Sequence, residues 1–342
     1  MIAAQVILKS RSALQPTLKP LCTFELRYPK FIHGEFMTHR MLSRNASSSR
    51  AIPTAKLIAE VRSDHDRASP IFWGKNQKGM QAAEELDNEK SIHLRMNYDG
   101  QYEQITTYRA AQRAWAAAAG FAVMQAEVLL NLGTHKQIVN RLLEPFSHIN
   151  VVATATEWDN FFGLRLHHMA QPEMRELARQ MWKAYNEAET QEIVPGEYHL
   201  PYVTGIDWSY RQCVEWPEGR PFSYEALQAD MIKVSVARCA RVSYKSLETG
   251  KTPTFVEDSV TYAKLNIPGT SNYDPSQPIH ASPAEHQATP DDWYIHDGSD
   301  GQDPYSDWVH PKEHGNFVGF RQYRKMLPGE ACAPLPEEYL AF

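Results

Sequence analysis

The chain has 342 residues, 42% of them hydrophobic and 22% charged, with a formal net charge of −6. That balance excludes disorder as the main state, and it excludes a chain that holds polymeric nucleic acid through its phosphates unless Arg and Lys are gathered locally. Four scattered cysteines, Cys22, Cys213, Cys239 and Cys332, form no C-x-x-C pair, so neither a zinc site nor a disulfide framework is expected and a reducing cytoplasm is the simplest home.

In chain order, the first run, MIAAQVILKSRSALQ, carries Lys9 and Arg11 where a signal peptide needs its apolar core. Residues 21–28 alternate, with Cys22, Phe24, Leu26 and Tyr28 on one side, which predicts a half-buried strand. Pro29 suits the first turn of a helix through KFIHGEFMTHRML, followed by a Ser/Asn-rich loop from Arg44 to Pro53. The GKNQKG stretch at 74–79 is turn-rich, and its Gly and Lys come in the wrong order for a phosphate loop.

Strong helix formers predict a helix over 107–132 that Gly133 ends; Gln125 and Glu127 interrupt its apolar stretch, so no membrane span is expected. A second helix is predicted over 135–146, with Ile138, Leu142 and Phe146 as its core face. Thr154 and Glu157 have capping-box spacing and predict the start of a long helix kinked at Pro172. A further helix is expected from near Ser223 to Ala240; the chain from Lys251 onward is rich in Pro, Gly, Asp and Asn until GFRQYRKML.

Two places stand out chemically. On the helix predicted after Thr154, Arg165 falls within the apolar stripe of Trp158, Phe161, Phe162 and Met169. A guanidinium keeps its proton, so a buried Arg165 needs a partner, either a core carboxylate or a ligand, and spacing alone does not choose between them. His39, Arg40, Arg44 and Arg50 are interleaved with Ser43, Asn45, Ser47, Ser48 and Ser49. Such a loop is either solvated surface or a set of donors for a phosphate, and the acidic remainder favours a mononucleotide or dinucleotide over a polymer. No cysteine has a neighbouring His, no G-x-S-x-G or G-x-G-x-x-G occurs, and the His pairs 167/168 and 280/286 lack metal-ligand spacing; His167 and His168 read as surface or interface residues.

HRMLSRNASSSR, residues 39–50, is similar to the signature R-H-R-x-x-S-x-N-x-x-S-x-R of the flavin-dependent thymidylate synthases, with Thr38 in place of the first Arg. NRLLEP (140–145) resembles the family's R-x-x-x-P element, and NFFGLRLHHMAQPEMRELA (160–178) resembles N-F-L-x-L-R followed by A-Q-x-E-I-R. ARVSY (240–244) and HASPAEH (280–286) resemble elements that ordinarily precede the signature, so the resemblance implies a circularly permuted chain like those carried by phages.

The implied fold is mixed α+β, an antiparallel-containing sheet packed with long helices, in one domain spanning 1–342. Its parts are the signature and helical core (1–186), the permuted N-terminal elements (220–286) and an extra C-terminal segment (287–342). The implied activity is reductive methylation of dUMP at C5 with FAD, methylenetetrahydrofolate and NADPH and without a cysteine nucleophile, in a homotetramer with shared active sites.

By position, His39, Arg40, Asn45, Asn160, Ser243 and His286 correspond to residues that hold FAD. Glu35, Ser48, Ser49, Arg50 and Arg141 correspond to residues that bind dUMP, with Arg141 on the phosphate, and Arg165 corresponds to the Arg that favours the ionised uracil. Thr38, Ala46 and Met169 depart from the pattern and keep open the C5 hydroxymethylation of dUMP or another pyrimidine nucleotide; a separate alternative is a nucleotide- or flavin-binding protein without turnover.

Overall fold

The structure, a computed structural model, describes residues 1–95, 102–219, 221–243, 252–268, 273–277, 279–297 and 305–330. Strands β1 (Ala3–Ser12) and β2 (Leu21–Pro29) pair antiparallel, Ala3 opposite Arg27. A single-turn helix α1 (His33–Phe36) leads to β3 (Ser43–Ala46), then α2 (Thr54–Arg62) and the hairpin β4 (Ser91–Arg95) and β5 (Tyr102–Thr106). Helix α3 (Thr107–Asn131) follows, with α4 (Lys136–Val139), β6 (His148–Ala155), α5 (Asp159–Arg165), α6 (Pro172–Glu187) and β7 (Gln191–Ile193).

Helices α7 (Gly205–Cys213), α8 (Tyr224–Ala240) and α9 (Phe255–Ala263) then pack together. The chain continues through β8 (Ala288–Pro290), β9 (Trp293–His296), β10 (Tyr305–Trp308), β11 (Phe320–Gln322) and α10 (Tyr323–Met326). The main sheet has the order β3-β6-β2-β1-β7, antiparallel except for β1 with β7. No helix among the described residues is long and apolar enough to cross a membrane.

One face of the sheet presents Cys22, Phe24, Leu26 and Tyr28 to Trp158 and Phe161 of the α5 region and to Met174, Leu177 and Met181 of α6. Phe24 and Trp158 meet edge to face with ring centroids 4.8 Å apart, a contact that adds about 0.5–1.5 kcal/mol beyond burial. The opposite face of β2 is buried as well. Thr23 and Glu25 meet His199 and Tyr202 there, so the strand is covered on both sides rather than half-buried. Polar residues tolerate that position because each is hydrogen-bonded.

Arg238 of α8 ties this second layer together. Its guanidinium reaches Asp207 at 2.7 Å and Asp258 at 3.0 Å and donates to the carbonyl of Tyr202 at 2.7 Å. Tyr202, at φ 67°, turns that carbonyl toward Arg238 while its hydroxyl donates to Glu25.

Helices α3 and α8 run as their caps dictate: the Thr106 side chain accepts from Arg109 N and Gly133 ends α3 at φ +77°, and the Ser223 side chain accepts from Ala226 N. Other expectations are corrected. Residues 30–42 form only a 3-10 turn and α1, and Ser43–Ala46 of the expected loop is an edge strand against β6. Residues 135–146 break into α4 and two 3-10 turns, because the fold buries Val139, Asn140 and Leu143; Ile138 and Leu142 are exposed and Phe146 is half-buried. Thr154 belongs to β6, with its hydroxyl engaged across the sheet, and Glu157 pairs with Lys19 instead of capping a helix. Pro172 opens α6 at its first turn, where its missing N–H has no cost, instead of kinking a continuous helix.

Candidate functional site

Arg165 ends α5, at the rim of the apolar layer and not in the middle of it. Trp158, Phe161 and Phe162 are buried, whereas Met169 lies beyond the helix and is exposed. The guanidinium donates from Nε to Nε2 of His39 at 2.8 Å and from Nη2 to Oγ1 of Thr38 at 3.1 Å. Glu35 Oε2 lies 3.5 Å from Nη1, and this carboxylate is 42% exposed at its side chain, so it is not the buried counter-ion of a structural pair.

His39 is itself buried, packed edge to face on Phe161 at 4.8 Å. Burial first, then the charges of Arg165 and Arg44, bring its pKa down to about 4. An imidazole that accepts from a guanidinium must be neutral, and the geometry and the shift agree. The arrangement holds a cation at the edge of an aromatic layer by two neutral acceptors, His39 and Thr38, with the exposed Glu35 carboxylate as its one charged neighbour among the described residues.

A second group forms around Glu144. Its Oε1 receives Lys30 Nζ at 2.7 Å, Arg141 Nη1 at 2.9 Å and the Ser49 hydroxyl at 2.5 Å. Burial works against ionisation there, but the hydrogen bonds from Lys30 and Ser49 hold this carboxyl below its ordinary range. The Arg141 side chain is 58% exposed, and Asn140 beneath it is fully buried, its amide donating to the carbonyls of Ser49 and Ile52. A carboxylate thus stands where three anion donors converge. The i, i+3 spacing of Arg141 and Glu144 is the one sequence signal for Glu144, and Lys30 carries none.

A third group lies on β3 and β6. Asn45 donates from Nδ2 to the carbonyl of Cys239 at 2.6 Å, and His286 meets the Thr154 hydroxyl at 2.8 Å through Nδ1. His286 is fully buried, its pKa is lowered by burial to about 3, and its Nε2 has no hydrogen-bond partner among the described residues. Arg40, Arg50 and Asn160 are exposed, Ser48 is half-buried, and the side chain of Ser243 lies outside the described residues. His167 and His168 are exposed, their rings tilted to each other with centroids 4.3 Å apart. Cys22 and Cys239 are fully buried, and burial pushes the Cys22 thiol up, away from nucleophilic character.

Among solved structures, a UMP/dUMP methylase, PolB, from Streptomyces cacaoi bound with 5-Br UMP is 18% identical with a TM-score of 0.36, covering 55% of this chain and 89% of that one. The flavin-dependent thymidylate synthase ThyX from Helicobacter pylori, complexed with FAD and dUMP, is 17% identical with a TM-score of 0.29, covering 48% of this chain and 67% of that one. No curated protein matches the sequence. Residues 14–189, just over half of the chain, match the family described as thymidylate synthase complementing protein. The chain belongs to that family of methyl-transferring enzymes.

Proposed function

We propose that the protein methylates dUMP at C5, using FAD for redox chemistry, methylenetetrahydrofolate as carbon donor and NADPH as reductant. The observation that carries this reading is Arg165: a guanidinium held by neutral His39 and Thr38 and not neutralised by a buried carboxylate. Such a group stabilises negative charge developing on a pyrimidine ring. Bound flavin would supply the hydride that completes a methyl group.

His39, Arg40, Asn45, Asn160, Ser243 and His286 are assigned to the flavin. The buried Nε2 of His286, without a partner among the described residues, and the exposed Arg40 fit a ligand that carries both carbonyl and phosphate oxygens. Glu35, Ser48, Ser49, Arg50 and Arg141 are assigned to dUMP, with the Arg141, Lys30 and Ser49 donors on its phosphate.

The packing of the later segments supports the permuted reading of the single domain. The Cys239 carbonyl accepts from Asn45 of β3 and His286 meets Thr154 of β6, contacts between the later segments and the signature strand's sheet that support this reading. Sharing of sites within a homotetramer is supported by α3, which exposes Phe121, Met124 and Val128 along one stripe that Leu132 at its C-terminal cap extends. A cytoplasmic setting suits the substrates.

The test is incubation with dUMP, methylenetetrahydrofolate, FAD and NADPH, with the product identified by mass. dTMP is expected. A hydroxymethylated nucleotide would favour the alternative raised by Thr38, Ala46 and Met169, and binding of FAD and dUMP without product would favour a non-catalytic protein.

A further inference from the structure

A line of five polar side chains runs through the interior behind the main sheet. Ser10 Oγ lies 2.8 Å from Nδ1 of His199, whose Nε2 lies 2.8 Å from Thr23 Oγ1. Thr23 Oγ1 is 2.7 Å from Thr154 Oγ1, its direct cross-strand partner, and Thr154 Oγ1 is 2.8 Å from Nδ1 of His286. All five residues are fully buried. The line ends at Nε2 of His286, which has no hydrogen-bond partner among the described residues.

Each link carries one proton. Burial lowers the pKa of each ring to about 3, so both imidazoles are neutral near pH 7 and the protons can run along the whole line in two directions; an order that reverses where Thr23 or Thr154 accepts from both sides strands that hydroxyl's proton and the Nε2 lone pair of His286. In the first direction Ser10 donates to His199 Nδ1, His199 Nε2–H to Thr23, Thr23 to Thr154, and Thr154 to His286 Nδ1. Every hydroxyl proton is then used, and only the Nε2–H of His286 is unmet. In the reverse direction His286 donates from Nδ1 and His199 from Nδ1 to Ser10. That order leaves two groups unmet, the Ser10 proton and the Nε2 lone pair. Burying an unmet polar group is costly, so the first direction prevails.

We propose that Ser10, His199, Thr23 and Thr154 are positioning residues that hold His286 as its Nε2–H tautomer, a hydrogen-bond donor kept for an oxygen acceptor of a bound ligand. The identity of that ligand as the flavin rests on the function proposed above. The four residues act through His286 and do not themselves touch the ligand.

Nitrogen-15 NMR of histidine-labelled, folded full-length protein tests this without turnover. The free wild type should show His286 with Nε2 protonated in at least about tenfold excess. In Ser10→Ala either direction leaves one donor and one acceptor unmet, so the excess should collapse to a mixture of tautomers, and Ser10→Thr should restore it. A proton on Nδ1 of His286 in the wild type, or an unchanged ratio in Ser10→Ala, overturns the proposal. FAD added to the wild type should then shift the Nε2 resonance. Absence of that shift, with the tautomer as expected, overturns the assignment of His286 to the flavin and leaves the relay standing.

Discussion

Nε of Arg165 donates to Nε2 of His39 across 2.8 Å, so the imidazole accepts at that nitrogen and carries its own proton on Nδ1. Protonating the ring would break this bond and set two cations side by side. In an NMR titration His39 should therefore titrate near pH 4 in the wild type. In Arg165→Gln it should rise toward, without reaching, its ordinary 6.5, because burial, the largest cause of the shift, remains. An unchanged value would show that the guanidinium does not act on the ring.

The buried imidazoles also make stability depend on pH. His199 and His286 take up protons near pH 3 when folded and near 6.5 when unfolded. Their neutrality costs nothing above pH 6.5, and stability is lost progressively as pH falls from there toward 3. Asp258, which burial holds up to about 6 despite Arg238 and Arg241, works the other way between about 6 and 3.8. Two groups outweigh one, so the urea midpoint should fall between pH 6.5 and 4.5. A midpoint that rises over that interval would contradict the buried, neutral assignment.

Glu144 competes for the donors assigned to the substrate phosphate. Glu144→Gln keeps the shape and removes the charge, and it should tighten dUMP binding about fivefold, on the order of 1 kcal/mol. Deoxyuridine, which lacks the phosphate, should bind both proteins alike. Calorimetry with the two ligands separates the outcomes: equal gains for both would place the effect away from the phosphate.

The apolar stripe of α3 predicts an assembly. Light scattering should give a wild-type mass several times that of one chain, and Phe121→Glu combined with Val128→Glu should reduce it while the helix content is kept. A wild-type monomer, or a variant of unchanged mass, would mean that this face serves another purpose.

Local signals were legible wherever they also decided the local structure. Gly133 ends α3, Ser223 caps α8, and Phe24 and Leu26 face the core, because each effect acts within one turn or along one strand. Arg165 was legible as an anomaly, and the resemblance supplied the role proposed for it. What escaped were contacts set by distant chain. Thr154 has good helix-capping company in sequence, yet its hydroxyl is claimed by Thr23 and His286, more than a hundred residues away on either side. His199 carries no pattern at all, since its partners are Ser10 and Thr23. Lys30 and Glu144 meet only because the end of β2 and the turn before β6 are neighbours in the sheet.

The central claim is a pyrimidine C5 chemistry that needs flavin and Arg165 and no cysteine. Release of tritium from dUMP labelled at C5, in the presence of methylenetetrahydrofolate and NADPH, tests it most directly when FAD is supplied or withheld. Release should require FAD and should be lost in Arg165→Ala while the circular dichroism spectrum is retained. No release with FAD present, or release that persists undiminished in Arg165→Ala, would contradict it.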